Sequence, residues 1–336
     1  MKGAGTMQKK LLGITIGDPS GVGPEIALKI FRHADVLSTC HPVLYGDEYV
    51  LKRVAPIVGH RMPLAVIGDP REARTGVVNL VSTNALNEPY DFATVQGKCG
   101  HAAFTYIERA IGDALAGKIE AVVTGPIHKE ALHEGGHDYS GHTEIFADLT
   151  GTTNYAMLLT GGPMRVIHVS THVSLRQACD RATKERVLTV RRLAHDVVRG
   201  LGVANPRIAV AGLNPHSGEG GLFGDEELSQ IIPAIEAARS EGMDVTGPVP
   251  PDTVFVKHRN GDSDIVVAMY HDQGHIPLKL VDFMGGVNIT VGLPIIRTSV
   301  DHGTAYGKAG KGTADESSMI AAIQAAVQLA KNATER

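Results

Sequence analysis

The order of apolar segments predicts an α/β protein with a mostly parallel sheet covered by helices on both faces. Three observations carry this. Short runs of strand length alternate with longer segments of helical period. Several of the short runs are apolar at every position, as strands buried on both faces are. Many of them stop abruptly at Gly, Pro, Asn or His, where ligands sit in open α/β sheets.

Residues 11–16 read as the first strand, followed by the turn Gly17-Asp18-Pro19-Ser20-Gly21-Val22-Gly23-Pro24-Glu25 and a helix from about Pro24 to Phe31. Pro at the first helical position and Glu25 in the first turn are start signals. The turn is neither G-x-G-x-x-G nor a P-loop, because no Lys-Ser/Thr follows, so it reads first as a tight structural turn. Residues 43–45 and 64–67 are short strands with helix between them. From Gly97 to Gly117, Phe104, Ile107, Ile111 and Leu115 keep helical spacing. A strand at 121–124 closes on Gly125-Pro126, and one at 164–169 ends in Ser170-Thr171-His172. Val187, Val190, Leu193, Val197 and Leu201 predict a helix over 184–201. The strand from Arg207 to Leu213 ends in Asn214-Pro215-His216, and a helix near 225–240 is bent or started at Pro233. After the buried strand 264–269, Gly and Pro are expected to stop regular structure within Tyr270–Leu280. An Ala-rich helix closes the chain at about 316–331.

The totals set limits. At 336 residues the chain exceeds a single core, so two lobes are expected. A net charge of -4 excludes a basic face for nucleic acid and a polybasic membrane patch. Three widely spaced cysteines exclude a disulfide framework and suit a reducing cytoplasm. Residues 1–10 lack a signal-type apolar region, and no apolar run approaches the ~20 residues of a membrane span. With 16 His and 39 Gly, the composition instead favours tight turns and polar chemistry.

Three apolar runs end alike, each placing a histidine just past the strand: His172, His216 and His271. Neutral imidazole is the commonest ligand for borderline divalent metals, and three ligands with an open position make a catalytic arrangement. Each could alternatively be a polar cap. His168, within its strand, and His33, His41, His60 and His101, in helical or loop surroundings, read as structural or solvent-facing. In Ser140-Gly141-His142-Thr143-Glu144, Thr143 reads as a helix N-cap and Glu144 as a first-turn acid, a place that also suits an anion. Asn288 and Arg297 add an amide and a guanidinium, the latter matched to carboxylate or phosphate. Asp301-His302-Gly303-Thr304-Ala305 is a polar turn able to grip a cofactor. Lys279, between Leu278 and Leu280, is either a lysine of lowered pKa, a substrate anchor or a surface residue.

The Gly17–Glu25 turn, Gly141-His142-Thr143-Glu144, Leu213-Asn214-Pro215-His216-Ser217-Gly218-Glu219, Tyr270-His271-Asp272-Gln273-Gly274 and the run Gly292–Ala305 together resemble the 4-hydroxythreonine-4-phosphate dehydrogenase (PdxA) family, over about residues 11–330. The resemblance implies an isocitrate/isopropylmalate dehydrogenase-like α/β/α subunit with an interlobe cleft, one lobe formed by 1–138 plus 296–336 and the other by 139–295. It implies a homodimer using NAD and one divalent metal ion (Zn, Co, Mn, Ni or Mg) per site. His172, His216 and His271 would hold the metal, in a site completed across the dimer interface. His142, Thr143, Lys279, Asn288 and Arg297 would bind substrate, and His302, Gly303, Thr304 and Ala305 the cofactor. Lys279 would bind the carboxylate or move a proton, with Asp252 orienting it or a ligand. One departure stands out: His275 occupies a position where biosynthetic members carry an apolar residue. That variant, with Met243-Asp244-Val245 and Pro250-Pro251-Asp252-Thr253-Val254-Phe255, looks like the branch that oxidises D-threonate or D-erythronate 4-phosphate, so oxidation and decarboxylation of 4-phospho-D-threonate to dihydroxyacetone phosphate is the expected reaction. The alternatives are the pyridoxal phosphate pathway dehydrogenase acting on 4-hydroxy-L-threonine 4-phosphate, and an aromatic cis-dihydrodiol carboxylate dehydrogenase.

Overall fold

A computed structural model describes residues 9–283 and 285–333; most of the segment 1–10 discussed above therefore lies outside the described residues. The chain divides into two compact units, one running to Gly151 and resuming at Pro294, the other from Thr152 to Leu293. Residues 139–151, expected with the second lobe, thus belong to the first unit.

The first unit contains β1 (Lys10–Thr15), α1 (Gly23–Lys29), α2 (Ala34–Thr39), β2 (Cys40–Gly46), α3 (Glu48–Val54), β3 (Leu64–Val66), β4 (Val78–Ser82), α4 (Gly97–Leu115), β5 (Ala121–Thr124), α5 (Lys129–Glu134) and α6 (His142–Leu149). The second contains β6 (Ala156–Gly161), β7 (Met164–His168), α7 (Leu175–Arg181), α8 (Lys184–Gly200), β8 (Arg207–Ala211), α9 (Ile232–Ser240), β9 (Asp244–Val249), α10 (Val254–Arg259), β10 (Ile265–Ala268), α11 (His271–Val281) and β11 (Val287–Val291). The chain then returns to the first unit with β12 (Arg297–Val300) and α12 (Ser317–Ala333).

In the first unit the strands run in the order β3-β4-β2-β1-β5-β12, and every pairing is parallel. All four residues of β5 are buried. Since successive side chains point to opposite faces, both faces there are covered. α4 and α12 pack on this sheet. Phe104, Ile107 and Ile111 of α4 are buried as their spacing predicts, whereas Leu115, at the helix end, is half exposed. In the second unit the order is β11-β6-β7-β10-β8-β9. β11–β6 and β6–β7 are antiparallel and the others parallel, so this sheet is mixed. Its core joins Leu159, Val166, Ala209, Val266, Ala268 and Leu278.

One element differs in kind from its expectation. Tyr270–Leu280 is not irregular; α11 runs through Gly274 and Pro277. Pro277 removes one backbone donor, and the burial of Gln273, Gly274, His275 and Leu278 offsets that loss. Among the described residues no helix is long and apolar enough to cross a membrane.

Two glycines of α4 predict opposite outcomes. A Cβ on Gly100 would lie 1.9 Å from the backbone oxygen of Ala131, whereas Gly112 has nothing within 4 Å. Gly100→Ala should cost about 1–3 kcal/mol or more by forcing α4 from α5, and Gly112→Ala should add about 0.5–1 kcal/mol by helix propensity. Urea unfolding midpoints check this; shifts of the same sign would contradict the packing described.

Candidate functional site

The second unit sets three strand ends side by side. β10 pairs in parallel with β7 on one side and β8 on the other, with Val266 level with Val166 and Ala209. The segments leaving these strands carry His172, His271 and His216. Gln273 ties two of the ends together: its Oε1 accepts from Met269 N at 2.7 Å and its Nε2 donates to Gly212 O at 2.8 Å.

His172 and His271 come close, with ring centroids 5.9 Å apart. Both line an open cavity of about 530 Å³ together with Thr171, Ser174, Tyr270 and Asp272. His271 Nδ1–H donates to Asp272 Oδ1 at 2.6 Å; in the neutral ring this places the lone pair on Nε2. That is the tautomer a metal ligand needs, with the carboxylate behind it. His275 lies flat on His271, centroids 3.6 Å apart and 12° between planes, and its Nδ1–H donates to His271 O at 2.9 Å. Behind it, His168 is 4.7 Å from His275 and donates from Nδ1 to Met157 O at 3.2 Å. Burial, then the neighbouring imidazoles, push His168 down to about 3 and His275 down to about 4, so both rings are neutral at pH 7. A side chain at position 274 would put its Cβ 2.4 Å from His168 Nε2, so only glycine fits there.

His216 does not join this pair within one chain. Among the described residues no three His, Cys, Asp or Glu side chains gather as a metal group. Of the three expected histidines, the described chain brings His172 and His271 near each other. His216 is exposed and opens a run of left-handed backbone: His216 (φ 54°), Ser217 (55°), Gly218 (80°), Glu219 (43°) and Gly220 (66°). Each residue with a side chain costs about 1–2 kcal/mol in this conformation, so the turn must be held from outside. The holder is Glu227, 1% exposed, which no sequence pattern singled out. Its carboxylate accepts from Leu213 N at 2.7 Å, Asn214 N at 2.8 Å and Asn214 Nδ2 at 2.9 Å.

Of the remaining expected residues in this unit, Lys279 is half-buried on α11, its Nζ 5.9 Å from the Phe283 ring centroid, and its charge acts on His275. Asn288 sits on β11, level with Leu159 of β6. Asp252 is exposed in the turn before α10.

The first unit places Arg297 beside Thr124, Phe146 and Glu144. Arg297, the first residue of β12, is 2% exposed. Its Nη2 donates to Thr124 Oγ1 at 3.0 Å and its Cζ lies 5.6 Å from the Phe146 ring centroid. Burial lowers it to about 9, opposed by the Glu144 charge, and it stays cationic at pH 7. His142 starts α6, and burial and the Arg297 charge hold its imidazole well below its usual range. Its buried Nε2 has no hydrogen-bond partner among the described residues. Thr143 is not the N-cap: Gly141 takes that position, and Thr143 is buried within the first turn.

The expected cofactor loop is exposed at His302, Gly303 and Ala305 and buried at Thr304. Ala305 is left-handed at φ 44°. The Gly17–Glu25 turn is its support. Val22 N donates to Thr304 O at 3.0 Å, and a Cβ on Gly21 would meet the Thr304 Cβ at 2.9 Å. Asp18 accepts from Ser20 N at 2.8 Å and Tyr306 Oη at 3.1 Å.

A family model described as "Pyridoxal phosphate biosynthetic protein PdxA" matches residues 38–326. The chain belongs to the PdxA family. This PdxA-family chain is 48% identical over 328 residues to a D-threonate 4-phosphate dehydrogenase of Salmonella typhimurium, covering 96% of this chain and 100% of that one. It is 47% identical over 323 residues to a protein of the same name from Cupriavidus necator, covering 95% and 97%. Among solved structures it resembles a 4-hydroxythreonine-4-phosphate dehydrogenase from Klebsiella pneumoniae, with a TM-score of 0.88, 46% identity and coverage of 97% and 99%.

Asp18 generates a prediction. Burial pushes its carboxyl from 3.8 up to about 6. The folded state therefore binds more protons than the unfolded one between these values, and stability falls as pH rises through that window, by roughly 3 kcal/mol. Asp18→Asn should flatten the fall between pH 4 and 6 in urea titrations. A variant with the wild-type slope would refute the buried acid.

Proposed function

We propose that the protein is an NAD- and divalent-metal-dependent dehydrogenase that oxidises and decarboxylates 4-phospho-D-threonate, or 4-phospho-D-erythronate, to dihydroxyacetone phosphate, CO2 and NADH. The observation that carries this reading is the near-full-length identity to D-threonate 4-phosphate dehydrogenases. His275, the branch-specific residue, lies stacked on a proposed ligand, and this agrees with it.

In this reading His172, His216 and His271 hold the metal. One chain pairs only two of them, so a second copy completes the set and the working form is a homodimer. The tautomer of His271 and the neutral imidazoles around it suit Zn, Co, Mn or Ni, and substrate oxygens would let Mg serve. When bound, the metal polarises the substrate's oxygens and NAD accepts the hydride. The residues do the rest. Arg297, with His142 and Thr143, holds an anionic group of the substrate through a buried cation and the free end of α6. Asn288 orients the substrate by hydrogen bonds. Lys279 binds the carboxylate or delivers the proton that replaces it at carbon after CO2 leaves. Asp252 orients Lys279 or a ligand from outside the reacting atoms. His302, Gly303, Thr304 and Ala305 receive the cofactor on the turn that Asp18 and Val22 support.

Two measurements test this. Metal-reconstituted protein with NAD, assayed for NADH, should turn over 4-phospho-D-threonate or 4-phospho-D-erythronate faster than 4-hydroxy-L-threonine 4-phosphate; a preference for the amino substrate would reassign the reaction. His216→Ala should lower kcat/KM by ~10³-fold at an unchanged unfolding midpoint. Near-normal turnover with normal metal content would sink the three-histidine assignment.

A further inference from the structure

We propose that Glu227 is a positioning residue for His216: its buried carboxylate holds the left-handed turn from which that imidazole is presented. The role of His216 itself rests on the function proposed above.

Four observations support this. First, the turn is not one the chain would take unaided, because His216, Ser217 and Glu219 all carry a Cβ in the left-handed region. Second, Glu227 opens the π-helical turn Glu227–Ile231, yet its carboxylate reaches back to residues 213 and 214 instead of serving its own helix. Third, no Lys, Arg or His pairs with Glu227 among the described residues; its carboxylate oxygens are taken up by the N–H groups of Leu213 and Asn214. Glu226 Oε2 takes a further bond from Asn214 Nδ2 at 2.7 Å, fixing that amide between two carboxylates. Fourth, the turn closes directly onto the carboxylate: a Cβ on Gly218 would lie 2.7 Å from Glu227 Oε2. A buried carboxyl group, strained backbone and a proposed ligand are therefore joined in one short segment.

The experiment compares wild type with Glu227→Gln, Glu219→Gly and the double variant. Glutamine keeps one oxygen for the two backbone donors but turns an NH2 toward the Asn214 amide. Two readouts are taken: hydrogen exchange of the 213–223 amides in metal-free protein, and affinity for Co²⁺ by chelator competition. Glu227→Gln should speed exchange about tenfold or more in 213–223 while leaving the two sheets protected, and weaken Co²⁺ binding about 10–100-fold. Glu219→Gly, on an exposed side chain, should by itself change Co²⁺ affinity less than about twofold, and should restore most of the loss in the double variant by removing one left-handed Cβ. Unchanged exchange and affinity in Glu227→Gln would overturn the proposal. So would loosening spread over both sheets, or a double variant no better than Glu227→Gln. If wild type itself binds no Co²⁺, the metal assignment fails, and local exchange at 213–223 alone decides the role of Glu227.

Discussion

The parallel register of β7, β10 and β8 is the constraint on which the second unit's chemistry depends. With Val166, Val266 and Ala209 level, the three strands end at His168, Ala268 and Ala211. The segments that follow start from one edge of the sheet. A slip of one residue would turn every core side chain of a strand to the other face, so burial of Val166, Val266 and Ala209 fixes the level at which His172, His271 and His216 emerge. Gln273 then joins the ends of β8 and β10 by hydrogen bonds to both backbones.

Around this edge the chain accepts features that ordinary packing avoids. Several imidazoles lie close together, two of them buried and kept neutral by desolvation. Gly274 lets His168 approach the backbone of α11, and the 216–220 turn stays left-handed over a buried carboxylate. Each of these costs stability taken alone, and they share one region. Strain that persists because its surroundings over-determine it is typical of sites where geometry serves function. The first unit shows the same logic in milder form: Asp18 is buried at a raised pKa in order to hold Ser20 and Tyr306, next to the loop proposed for the cofactor.

Much of this was legible in the sequence, for physical reasons. α4 and α8 are long enough for their period to show, and the strands that precede His172, His216 and His271 are apolar enough to stand out. β4, β6 and β9 were not read from the sequence although β3 and β5 are shorter; in β9, Gly247 and Pro248 weaken the strand signal. α11 defeated the Gly and Pro signals because tertiary burial outweighs one lost backbone bond. Thr143 was misread as a cap because Gly141 reaches the extended conformation that a cap requires. Glu227 was invisible: its partners lie 13 and 14 residues away, and nothing local marks a carboxylate as the support of a left-handed turn.

The proposed function requires that three strand-end histidines form one metal site. X-ray absorption of the cobalt-loaded protein tests it most directly, because the spectrum counts imidazoles in the coordination shell. Three imidazole nitrogens per metal are expected at about 2.0–2.1 Å, with oxygen completing the shell. A shell of oxygen alone, or with a single imidazole, would contradict it.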